Sequence, residues 1–180
     1  MIMELEYIRD YTMYTAIFGM FSLVWFGWAQ ENPRKHWRKY IGVASGTALL
    51  VCLIGVYLSV AHWDSSTALL EKESFTTYII VFYAQFIIGG IGAFFLIRNK
   101  KRDYVASWIA FIVGVHFFWL VNVFKDPSLY ILAVLMITIA VISPWISKNI
   151  GVANSAVTGI GSGSALFCFA VLGLLRYLLV

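Results

Sequence analysis

Apolar residues in this chain fall into long runs, each separated from the next by a short polar stretch. A soluble helix shows one apolar stripe, whereas these runs are apolar all round. Each run is close to the ~20 residues that a helix needs to cross the hydrocarbon core of a bilayer. The pattern predicts helices at about 12–29, 41–62, 77–97, 104–124, 129–147 and 155–177. The expected fold class is an all-α membrane protein, a polytopic bundle of six transmembrane helices forming a single domain over residues 1–180.

The breaks carry their own signals. Trp25, Phe26 and Trp28 close the first run with interfacial aromatics, and Pro33 follows in the loop. In the polar stretch 63–74, Asp64 or Ser65 is the candidate cap of a short surface helix. Asp126 and Pro127 make a turn. Pro144 is expected to bend or end the fifth helix. Residues 1–11 read equally as a short interfacial helix or as the first turn of helix one. A cleaved signal peptide is not expected, because Glu4, Glu6 and Asp10 stand where positive charge belongs.

Composition agrees with a lipid environment. The chain is 61% hydrophobic and 12% charged, against roughly a quarter charged in soluble domains. Its net charge is +4, with Arg34, Lys35, Arg38, Lys39, Arg98, Lys100, Lys101, Arg102 and Lys148 all in or beside alternate loops. Positive loops stay in the cytoplasm, so both termini are expected outside, in a multi-pass protein of the cell membrane. No aromatic-basic platform suggests a nucleic-acid partner. Cys52 and Cys168 lie in apolar runs, where free cysteine behaves as a small apolar residue, and no disulfide is expected.

Candidate chemistry centres on His116, the one ionisable side chain inside the fourth run between Tyr104 and Lys125. Such a group at bilayer depth faces a bundle interior or a wet cavity. It lies ~12 Å below the outer end of its helix, and Gln85 and Thr138 fall at matching depth. Tyr57 and Tyr83 are shallower, Asn122 is near the rim, and Trp119 adds aromatic wall. With His116 these are the expected ligand-binding residues. The ring is expected to bond Gln85, Thr138, Tyr83 or a water. Gly42, Gly46, Gly89, Gly90, Gly92, Gly159, Gly161 and Gly163 fall in the inner half and are expected to draw helices two, three and six together. A bundle tight below and wide above would leave an outward-facing pocket.

Several chemistries drop out. A nucleophilic Ser162 would need a histidine at matching depth, and His116 falls in the other half. No helix run holds an Asp, a Glu or a mid-helix Lys, which argues against carboxylate-driven pumping and a retinal Schiff base. No phosphate-binding loop, metal-ligand cluster or cofactor motif is present, and no catalytic residue is assigned. Three roles fit what is left. The first is binding or transport of a small, weakly polar or lipophilic solute. The second is a structural or accessory subunit packing with a membrane-protein partner or with itself. A membrane enzyme acting on a lipid-like substrate, with His116 as acid or base, ranks last.

Overall fold

The computed structural model describes residues 7–180. They form helices α1 (Ile8–Ala29), α2 (Trp37–Ala61), α3 (Lys72–Arg98), α4 (Val105–Phe124), α5 (Ser128–Ile150) and α6 (Asn154–Leu179). Single 3-10 turns, Ala68–Leu70 and Arg102–Tyr104, precede α3 and α4. Among the described residues there is no strand, and all six helices are long and apolar enough to cross a membrane.

The helices outrun the apolar cores that predict them, because their polar first and last turns remain helical. Ile8–Tyr11 are the first turn of α1. The part of the interfacial-helix expectation that falls on residues 1–6 lies outside the described residues. Pro144 neither ends nor divides α5, which runs on to Ile150. The terminator is Gly151, whose φ of 67° suits the left-handed residue that closes a helix. The short turn before α3 is capped by Thr67, whose hydroxyl accepts from Leu69 N at 3.2 Å, and not by Asp64 or Ser65.

The central helix is α1. It packs against α2 on one side and α6 on the other; the chain of neighbours continues α6 to α5, α5 to α4, and α4 to α3. The reason is visible along α1. Thr12, Thr15, Gly19, Ser22, Phe26 and Ala29 recur at alternating spacings of three and four, and all are buried. Small residues at that spacing let backbones approach. Ser22 donates to the Gly163 carbonyl at 2.8 Å. A Cβ added at Gly55 of α2 would lie 2.3 Å from Ala16 N, and one at Gly159 of α6 would lie 2.6 Å from Trp25 O.

The glycine expectation is corrected on this point. Gly42, Gly46 and Gly90 face open space, so they draw no helix in. Close contacts occur in both halves of the bundle, with Gly55 and Gly173 toward one end, Gly159 and Gly163 toward the other and Gly19 at the middle of α1. α2 and α3 each lean on essentially one neighbour, and most of their surface is exposed.

The helices alternate in direction. Arg176 near the end of α6 pairs with Asp126 at 2.6 Å, and its guanidinium sits 5.7 Å from the Tyr11 ring. The start of α1, the end of α6 and the loops 62–71 and 125–127 therefore share one end. At the other, Ala153 N donates to Asn32 O at 3.3 Å and Asn154 Nδ2 to Asp103 O at 2.7 Å. Loops 30–36, 99–104 and 151–153 meet there, so the basic loops lie together.

Candidate functional site: a crevice between α1 and α3

Because α3 rests chiefly on α4 and its flanking turns, the space between α1 and α3 is not filled by a helix. It forms a crevice of about 410 Å³, floored by α4. Its wall on α1 runs from Met13 to Trp28, which at 1.5 Å per residue is ~22 Å, most of a hydrocarbon core. Phe18, Phe21, Trp25, Phe82, Phe86 and Phe117 give the lining an aromatic character. Val24, Phe86 and Gly90 belong to the wall and are also exposed on the flank of the bundle, so the crevice opens sideways. Leu69 and Phe124 stand in its wall at the end that holds the start of α1. This differs from the expected outward-facing pocket, since the close glycine contacts are not confined to one half.

His116 from α4 and Gln85 from α3 enter this largely apolar wall, which Tyr14 of α1 and Tyr78 of α3 also line. The imidazole does not bond Gln85, Thr138 or Tyr83. Its Nδ1 meets the carbonyl of Val113, one turn back on its own helix, at 2.5 Å. The ring lies 4.4 Å from that of Phe117. A carbonyl only accepts, so Nδ1 carries the hydrogen, and Nε2 of the neutral ring is left as an acceptor. Gln85 Oε1 is buried and has no hydrogen-bond partner. The crevice therefore presents the Gln85 and His116 acceptors together with the Tyr14 hydroxyl, which is buried without a partner and can donate or accept. A buried acceptor without a donor costs ~1–3 kcal/mol.

The other five expected ligand residues are not brought to this place. Tyr57 is 73% exposed, Tyr83 60% and Trp119 54%, and Thr138 and Asn122 are also exposed. The sequence did not mark that they point away from the crevice, because each helix is apolar on both faces. Depth along the axis was legible in the sequence, but rotation about the axis was not.

The sequence reading used Asp10 only against a signal peptide and gave it no structural role; it lies inside α1 and is 3% exposed. Its carboxylate accepts the Thr67 hydroxyl at 2.5 Å and the Ala68 amide at 2.9 Å. Arg9 beside it donates to the Trp63 carbonyl at 2.9 Å and sits over the Trp63 ring. These contacts hold the 62–71 loop down and set Leu69 against the crevice. The available signal was a carboxylate two residues before an apolar run, opposite a loop rich in hydroxyls. Among the described residues no cluster of His, Cys, Asp and Glu has metal-binding spacing, and Cys52 and Cys168 are free.

No protein-family model matches the chain, nor does any curated protein or solved structure.

Proposed function

We propose that this is a multi-pass membrane protein that takes a lipophilic molecule bearing a hydroxyl or N–H group from the bilayer into the crevice between α1 and α3. The observation that carries the reading is a largely apolar wall that holds the unpartnered Gln85 Oε1, the Nε2 acceptor of His116 and the unpartnered Tyr14 hydroxyl. Apolar surface gives such a molecule its affinity, and the acceptors select one that can donate. The lateral opening suits entry from lipid. The basic end of the bundle faces the cytoplasm, by the rule that positive loops are retained there.

The test compares a long-chain primary alcohol with its methyl ether by displacement of a fluorescent apolar probe from the detergent-solubilised protein. One hydrogen bond contributes ~0.5–1.5 kcal/mol, so the alcohol binds about threefold to tenfold more tightly than the ether. His116→Ala and Gln85→Leu each narrow that gap. Gln85→Leu leaves the empty protein as stable as the parent or more so, because it removes an orphaned acceptor. Gly90→Leu fills open space in the wall and weakens both probes. Equal affinity for alcohol and ether in the parent protein refutes selection by the two acceptors.

A further inference from the structure

A second cavity lies at the basic end, on the far side of Trp28 from the crevice. Its volume is about 340 Å³, and Trp28 stands in the wall of both. Its apolar side is Trp28, Ile97 and Val105. Its polar side is formed where three loops are tied together. Asn154 Nδ2 donates to Asp103 O at 2.7 Å and to Ser107 Oγ at 2.8 Å, which fixes the start of α6 beside the 102–104 turn. Ala153 N donates to Asn32 O, which brings the 30–36 loop across.

Three features of this cleft fit an oxyanion. First, α6 has Ala153 at its N-cap and no side-chain cap, so the 26-residue helix presents uncapped amides to the cleft. Second, Ser155 in its first turn is only 6% exposed, stands in the cleft wall, and has a hydroxyl with no partner. Third, Arg102 lines the cleft and makes no ion pair among the described residues. Two carboxylates, Glu31 and Asp103, stand in the same wall. They oppose a simple anion and fit a cation held close to one.

We propose that this cleft binds the zwitterionic head of a phosphoethanolamine lipid. Its phosphate oxygens meet the α6 amides, the Ser155 hydroxyl and the Arg102 guanidinium. Its ammonium meets Glu31 and Asp103, and a primary ammonium can donate hydrogen bonds to both. The shared chemistry, a phosphate next to an amine, also occurs in soluble molecules. The lipid is the occupant because one side of the cleft, Trp28, Ile97 and Val105, is apolar and the cleft sits at the end of membrane-length helices. The site goes beyond the crevice reading and does not depend on it.

The experiment is native mass spectrometry of the detergent-solubilised protein titrated with phosphatidylethanolamine, phosphatidylglycerol and diacylglycerol of identical chains, and with O-phosphoethanolamine. Phosphatidylethanolamine binds tightest, with phosphatidylglycerol and diacylglycerol each weaker by about tenfold. Arg102→Gln and Glu31→Gln each weaken phosphatidylethanolamine by about fivefold, and Ser155→Ala by about threefold, while alcohol binding in the crevice is unchanged. Diacylglycerol binding as tightly as phosphatidylethanolamine overturns the headgroup site. Phosphatidylglycerol equal to or better than phosphatidylethanolamine overturns the role of the carboxylates. O-phosphoethanolamine binding as tightly as the lipid overturns the lipid as occupant. The lipid series on the parent protein decides all three even where a variant fails to fold. Loss of alcohol selectivity with lipid selectivity intact refutes the crevice reading alone.

Discussion

Gly55→Ala adds one methyl group at the place where α2 rests on α1. The new Cβ would lie 2.3 Å from Ala16 N, 2.7 Å from Ala16 Cα and 2.7 Å from Thr15 C. All three are backbone atoms of α1, so no side chain can rotate out of the way. The closest of them is ~1 Å short of ordinary van der Waals contact, and α2 must move off α1 by about that much. Overpacking of this kind costs ~1–3 kcal/mol, and the upper half applies because the struck atoms cannot yield. Alanine is the better helix former by ~0.8–1.0 kcal/mol, which offsets part of the loss. The net destabilisation is about 1–2 kcal/mol, or about 2–8 °C in Tm for a chain of this size. Gly46→Ala on the same helix is the control. Its Cβ meets nothing within 4 Å, so only the propensity gain remains and stability holds or rises. Both are measured by thermal unfolding of the detergent-solubilised protein followed by tryptophan fluorescence. A Gly55→Ala protein as stable as Gly46→Ala would refute the claim that close approach of α1 and α2 holds the bundle together.

Asp10→Ala leaves the Thr67 hydroxyl and the Ala68 amide without their acceptor, at ~1–3 kcal/mol each. The 62–71 loop then exchanges its amide hydrogens and is cut by protease much faster than in the parent, and unchanged protection there would show that Asp10 does not hold it. Lys125 beside Glu71, at 2.6 Å, holds the Glu71 carboxyl below its usual range, and Glu71 in turn raises the Lys125 ammonium. A depressed carboxyl contributes stability above its unfolded pKa and loses it as pH falls through the folded value; the raised ammonium loses its share as pH rises through its own. Glu71→Gln therefore differs from the parent only between those limits, by a small amount that 1 M salt removes, because both side chains are half-exposed. In a Cys52→Ser, Cys168→Ser background, cysteines at Lys35 and Lys101 resist an impermeant thiol reagent in intact cells while one at Ser66 reacts. Labelling of both basic loops from outside would reverse the orientation.

The number, order and approximate extent of the helices were legible in the sequence, because a span is set by the length of an apolar run and a break by its polar residues. The gathering of the basic loops at one end followed from helix count alone. What only the tertiary structure decided is rotation. In water, the polar face of a helix marks its outside. In lipid, the surroundings are as apolar as the core, so Tyr57, Tyr83 and Thr138 carried no mark that they face outward, and nothing but depth joined them to His116. The mark that does survive in lipid is small size. Thr12, Thr15, Gly19 and Ser22 are buried because small residues let helices touch, and a reading of the glycines of helices two, three and six missed this three-four stripe of α1. Gly42 and Gly46 are just as small and face open space, so size proposes a contact and the packed partner decides it. The crevice belongs wholly to tertiary structure. It exists because α3 leans on α4 and not on α1, with Gly89 and Gly92 against Ile109 and Trp108, a choice of partner that their small size alone does not name.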